Sequence, residues 1–209
     1  MKKLLCLLSI SFVFINIFGV LIYFSFNSDF YINHFDNTQI TNPNLPDLQN
    51  AYSFIQNKAD LNSNFSPLET SHLQDVQDIF TIIHYILLVS IILFGIITWF
   101  LIYRHKYNLI FKWLFIWSII SLSVILVLLL LTLIDFTYTF QIFHKLLFPQ
   151  WNREFAEDSR LITLFPESFF IAISRSIFIT ISTISIFIIT FYLIIKKILR
   201  KQNLSHWKF

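Results

Sequence analysis

Two stretches, FTIIHYILLVSIILFGIITWFLIY at Phe80–Tyr103 and FKWLFIWSIISLSVILVLLLLTLI at Phe111–Ile134, are separated only by RHKYNLI. Each exceeds the ~20 apolar residues that a helix needs to cross a bilayer. The short basic turn between them predicts a helical hairpin. Two further runs, about Leu4–Phe26 and Phe169–Ile195, have the same character. Of the 209 residues, 56% are hydrophobic, 26 are Phe and only 13% are charged, with a mean hydropathy of +0.68. A soluble domain of this size cannot hide so much apolar surface. The expected fold is therefore all-α and integral to a membrane, with four transmembrane helices in one polytopic domain spanning 1–209.

The beginning, MKKLLCLLSISFVFINIFGVLIYF, has an apolar core longer than that of a signal peptide and no small-x-small cleavage site, so it reads as an uncleaved first helix. Cys6 is the single cysteine. It excludes an intramolecular disulfide and argues against thiol chemistry. With Gly scarce (2), the small polar residues Ser174, Ser176, Thr180, Ser182, Thr183 and Ser185 of the last run are the candidates for helix–helix packing.

All 12 acidic residues fall in two segments, seven from Asp29 to Asp78 and five from Asp135 to Glu167. Cations cluster in Lys2–Lys3, in Arg104, Lys106 and Lys112, and in the tail from Lys196 onward. Because Lys and Arg mark the cytoplasmic side, the expected topology is N-in and C-in. Both acid-bearing loops, about 27–79 and 135–168, then lie outside. The formal charge of +3 sums two oppositely charged faces and implies no nucleic-acid partner.

The first outer loop is rich in Asn, Asp, Pro and Ser. Its part NPNLPDLQN reads as turns, with a short surface helix over Leu48–Lys58. In SPLETSHLQDVQDIF, Ser66-Pro67 starts a helix and Glu69 falls in its first turn. Glu69, His72 and Asp75 follow at i, i+3 and i+6, on one face. The second outer loop begins at Asp135, and the stretch FHKLLFPQWNREFAEDSRLITLFPESFF at Phe143–Phe170, which leads from it into the last helix, is too apolar for a solvated linker. It predicts an amphipathic or partly re-entrant segment at the interface, interrupted by Pro149. Trp151 reads as an interface anchor. Asp158 and Arg160 have no obvious partners beyond each other and that loop's charges, and Phe165-Pro166-Glu167-Ser168 turns the chain into the last helix. Arg175 lies about two turns into the last run, placed to snorkel outward or to hold an ester carbonyl or phosphate-like group.

The histidines carry the chemical signal. Near neutral pH an imidazole serves as acid or base, and His72 and His144 sit in the two outer loops. His84 reads as a packed or interfacial residue, His34 as solvated loop, and His105 and His206 lie on the opposite face. His72 and His144 with Glu69, Asp75 or Glu167 also form a conceivable metal set for a membrane hydrolase, although no two histidines have the tight i, i+4 spacing. A non-catalytic membrane accessory or sensor is a further reading.

Four apolar helices, E-x-x-H-x-x-D-V at Glu69–Val76 and FHKLLF…W…D…LITLFPESFF at Phe143–Phe170 resemble the lipoprotein intramolecular transacylase (Lit) family of Gram-positive bacteria. The resemblance covers nearly the whole chain, least in the early part of the first loop. It implies an acyltransferase of the bacterial cytoplasmic membrane with its site facing the extracytoplasmic side. The implied substrates are diacylglyceryl-modified lipoproteins amid membrane lipid. The sn-2 acyl chain would move to the cysteine α-amino group, giving the lyso form. The resemblance maps the catalytic residues onto His72 and His144. The residues themselves offer Glu69, Asp75, Trp151, Glu167 and Arg175 as supporting or substrate-binding candidates, and neither metal nor cofactor is expected.

Overall fold

The computed structural model describes residues 2–27, 29–33, 44–148, 155–156 and 158–205. Trp151, Pro149, His34 and His206 lie outside the described residues. The helices are α1 (Lys2–Ser25), α2 (Leu45–Ile55), α3 (Pro67–Tyr103), α4 (Tyr107–Ile134), α5 (Phe136–Leu147), α6 (Arg160–Leu164) and α7 (Glu167–Ser205). Residues 29–33 add a short helical turn, capped where Asn27 Oδ1 accepts from the Phe30 amide at 3.0 Å. Among the described residues there is no strand. Helices α1, α3, α4 and α7 are long and apolar enough to cross a membrane. Helical hydrogen bonding within each segment satisfies the backbone where no water is at hand. The four expected spans all fall within these helices, and α3 starts well ahead of its apolar run.

The turn after α3 is a Schellman cap. His105 takes φ 53°, its amide donates to Ile102 O, and the Lys106 amide donates to Leu101 O, both at 2.8 Å. Asn57 (φ 56°) closes α2 in the same way, with the Asn57 amide on Phe54 O and the Lys58 amide on Ser53 O. Asn tolerates the left-handed region because its short polar side chain bonds locally.

Two compact units divide the chain. One comprises the described parts of Met1–Val20, Leu87–Leu128 and Phe178–Phe209. Leu5, Leu8, Ile97, Leu101 and Ile110 form its apolar cluster, with Phe94 and Trp113 packed against it. Small polar residues from each of its helices are buried here, including Ser9, Ser90, Ser118, Ser121 and Ser185. Of the small polar residues expected to pack in the last helix, Ser185 is buried, whereas Thr183 points outward and donates its hydroxyl to Ile179 O.

The other unit comprises Leu21–Ile86 and Leu129–Ile177, of which the described residues form a second core. Tyr31, Leu48, Ala51, Tyr52, Ile55, Phe65 and Leu73 pack with Leu161, Leu164, Phe169 and Ile173. The first loop is therefore a folded element, and α2 is not a surface helix. Its face Leu48, Ala51, Tyr52 and Ile55 is buried at helical spacing. The turn reading of LPDLQN also fails. Asn44 is the N-cap and Pro46 sits in the first turn, where a missing N–H costs nothing.

Tyr31 is fully buried, and its hydroxyl donates to Leu164 O, tying the first loop to α6. Burial pushes the phenols of Tyr31 and Tyr52 well above their usual range, so both stay neutral. Tyr31→Phe would leave the Leu164 carbonyl without its donor. The expected cost is about 1–3 kcal/mol, read as a lower unfolding midpoint of the purified protein in detergent. An unchanged midpoint would show that this bond contributes nothing.

Candidate active site

His72 and His144 both lie in the second unit. Ser66, Pro67 and Glu69 build the start of α3 as a capping box. Ser66 Oγ accepts from the Glu69 amide at 3.3 Å, and Glu69 Oε2 accepts from the Ser66 amide at 2.8 Å. This fixes the first turn of α3, and one turn further on the same helix presents His72, then Asp75, both partly buried. The expected i, i+3, i+6 row is therefore in place on a helix.

Glu69 does more than cap. Its second oxygen, Oε1, accepts from the Leu161 amide at 3.0 Å, across 92 residues of sequence. The carboxylate is 5% exposed, and both its oxygens are engaged by backbone N–H groups. A group so used is a structural clamp between α3 and α6. It sits in the first turn of α3, where a carboxylate also suits the helix N-terminus.

His144 comes from α5. Asp135 starts this helix by accepting from the Tyr138 amide at 2.9 Å, and Thr139 returns its hydroxyl to Asp135 O at 2.8 Å. Phe136, Phe140 and His144 recur every four residues on one face. Phe140 in turn stacks on Phe170 of α7 at 4.9 Å between ring centroids. The opposite side of α5 is apolar and exposed at Tyr138, Ile142 and Leu146. The expected amphipathic segment is a helix over Phe136–Leu147.

His144 Nδ1 lies 2.9 Å from Phe140 O. A carbonyl only accepts, so in the neutral ring Nδ1 carries the hydrogen and Nε2 the lone pair. Burial lowers the His144 pKa, with the Phe140 bond opposing it. Desolvation disfavours the imidazolium and leaves a neutral base.

Phe148, which caps α5, brings the two histidines together. Its ring lies 4.9 Å from His72 and 5.6 Å from His144. Phe155 packs against His72 at 5.4 Å, and Phe140 and Phe143 against His144 at 3.9 and 5.7 Å. The result is two imidazoles set in an aromatic surround. His84 is exposed, with Nδ1 2.7 Å from Phe80 O and its ring 6.3 Å from Phe26.

The remaining candidates are not gathered with them. Glu167 is exposed at the start of α7 and accepts from the Thr137 hydroxyl at 2.9 Å, joining α5 to α7. Arg175 is exposed on α7, on the same face as Ile171 and Ile179, and among the described residues it has no ion pair. Among the described residues no three His, Cys, Asp or Glu side chains are grouped to hold a metal ion.

Arg160 departs most from the sequence reading. Its guanidinium pairs with Asp47 of α2, far outside its own loop. Asp47 is 1% exposed and also accepts from Asn44 Nδ2 (3.0 Å), Asn62 Nδ2 (3.1 Å) and Asn64 Nδ2 (2.8 Å). The signal for this hub was the density of Asn around LPDLQN and LNSN, which reads as turns when taken alone.

Helices of spanning length and a paired-histidine site define a polytopic membrane protein with a candidate acid–base centre. The sequence model of the family described as lipoprotein intramolecular transacylase Lit matches residues 3–170. Among solved structures, the fold is similar to the membrane-integral lipoprotein intramolecular transacylase Lit from Bacillus cereus. That match has a TM-score of 0.78 at 23% identity, covering 96% of this chain and 97% of that one. A histidine-to-arginine variant of the same protein gives 0.71 at 21% identity over 98% and 94% of the chains. Its histidine-to-alanine variant gives 0.72 at 21% over 96% and 95%. No curated protein sequence matches significantly. The chain belongs to the lipoprotein intramolecular transacylase Lit family. It is a multi-pass membrane acyltransferase.

Glu69→Gln would keep one accepting oxygen and turn an amide N–H toward a backbone N–H. The expected loss is about 1–3 kcal/mol of stability, measured as a lower unfolding midpoint in detergent. A wild-type midpoint would refute the clamp.

Proposed function

We propose that this acyltransferase moves the sn-2 acyl chain of a diacylglyceryl-cysteine lipoprotein onto that cysteine's own α-amino group, with His144 as proton carrier. The observation that carries the mechanism is the packing of His72 and His144 on the same Phe148 ring, from two separate elements.

The substrate amine, with a pKa near ~8, attacks in its neutral form, having released its extra proton to water. Its nitrogen forms a bond to the ester carbonyl carbon while His144 Nε2 takes one of the two remaining amine hydrogens as a proton. The carbonyl π electrons move onto oxygen, and His72 orients the substrate or stabilises this oxyanion. Collapse re-forms the carbonyl and breaks the bond to the glycerol oxygen, which receives the proton from His144. The products are an amide and a free sn-2 hydroxyl, so atoms and protons balance. Donor and acceptor belong to one molecule, so no acyl-enzyme is required. Folding the headgroup so that amine meets ester is worth roughly 7–11 kcal/mol of barrier.

Position follows from charge and exposure. The cation-rich termini and Arg104–Lys112 turn support a site on the extracytoplasmic side of the cytoplasmic membrane. The exposed apolar face of α5 suits entry of a two-chain lipid sideways from the outer leaflet.

The test is expression in a host that makes diacylglyceryl lipoproteins and lacks other N-acylating activity. The tryptic N-terminal lipopeptide is then fragmented by mass spectrometry, since transfer yields an isomer of equal mass. Wild type should place an acyl group on the cysteine nitrogen, and His72→Ala and His144→Ala, at equal expression, should not. An unchanged diacylglyceryl peptide from well-expressed wild type would overturn the assignment and favour an accessory role.

The lowered His144 pKa has a definite sign. The neutral base persists to more acid pH than an ordinary histidine allows, so beneath the limb that the substrate amine itself sets near ~8, kcat/KM should steepen a second time only below ~6.5. A second steepening at or above the ordinary histidine value would exclude His144 as the group being titrated.

A further inference from the structure

We infer that the Asp47–Arg160 ion pair is a positioning device for the reaction, acting on His72 through Phe155. This rests on the histidine reading above.

The path is continuous. Arg160, the first residue of α6, is held by the buried Asp47 carboxylate, and the next backbone amide, Leu161 N–H, is held by Glu69. Two carboxylates from α2 and α3 thus grip adjacent residues of the second loop. The chain is carried back from there by a tight turn in which the Ser159 amide donates to Ala156 O at 2.8 Å. Phe155 precedes that turn directly, and its ring lies edge-on to His72 at 5.4 Å. His72 in turn stands one helical turn beyond Glu69, so the gripped segment and the histidine share the same anchor.

The pair is also asymmetric in a way that suits positioning. Asp47 is 1% exposed, whereas the Arg160 side chain is 37% exposed. The carboxylate is fixed by three asparagine amides, two of them from the loop before α3. That loop is itself tied, with the Asn62 amide on Asn50 Oδ1 at 2.8 Å and Asn50 Nδ2 on Asp60 O at 3.0 Å. Arg160 is therefore the more exposed partner, meeting a carboxylate that the asparagines also hold. Neither residue touches the reacting atoms. What they set is the aromatic wall of His72, and displacement of a catalytic group by about 1 Å costs as much as 100-fold in rate.

The experiment uses the full chain in proteoliposomes with a diacylglyceryl lipopeptide, comparing Arg160→Gln, Arg160→Lys, Phe155→Ala and the double variant Arg160→Gln/Phe155→Ala. Arg160→Gln should lower kcat by up to about 100-fold with KM little changed, and Arg160→Lys should restore much of the loss. The double variant should be no slower than the slower single variant, because both changes disturb one path. If the two losses multiply, or if kcat falls only in proportion to folded protein, the pair is merely structural and the inference fails. Should Arg160→Gln not fold, Asp47→Asn with and without Phe155→Ala gives the same cycle from the other partner of the pair. His72→Ala is run alongside. Full activity there would sink the histidine reading by itself, whatever the Arg160 cycle returns.

Discussion

A buried carboxylate has few ways to exist, and Asp47 uses nearly all of them. Removed from water, its charge must be matched by donors or neutralised. One guanidinium and three asparagine amides meet that demand. Such a pair adds little net stability compared with an apolar replacement, but breaking it leaves an uncompensated charge at a cost of about 3–5 kcal/mol. Its value lies in specification. Only one arrangement of α2, the asparagine loop and the start of α6 satisfies it. The apolar core of Tyr31, Leu48, Leu161 and Leu164 then closes around that arrangement.

Glu69 imposes a second constraint of the same kind with backbone donors in place of a cation. The two acids assemble the loop ahead of α3 and the start of α6, and aromatic rings pack against both histidines. Burial is the larger influence on His144, opposed by the bond between its Nδ1–H and Phe140 O.

The spans were legible in the sequence because hydropathy over ~20 residues is a local signal that bilayer physics makes decisive. The capping box at Ser66–Glu69 was legible for a similar reason, as its partners lie three residues apart. His72 and His144 stood out as titratable groups in apolar or helical surroundings, and the structure places them on a common ring. The Asp47–Arg160 pair was not legible. Its partners are remote in sequence, and each sits in a stretch whose composition suggests a turn or a solvated loop. Helix α2 was misread as a surface element although Leu48, Ala51, Tyr52 and Ile55 carry a helical apolar period. The Asn- and Pro-rich flanks outweighed that period, yet here they are the cap and the first turn.

Phe148 gives the site an inheritance of its own. One ring forms a wall for both histidines, so its position is a shared coordinate of two otherwise separate elements. A change in its bulk or placement reaches both imidazoles at once, and no adjustment confined to α3 or to α5 absorbs it. Sequence drift around the site is thus limited to changes that α3 and α5 make in concert. The histidines and their common ring form one packing unit, although the chain encodes them in distant places.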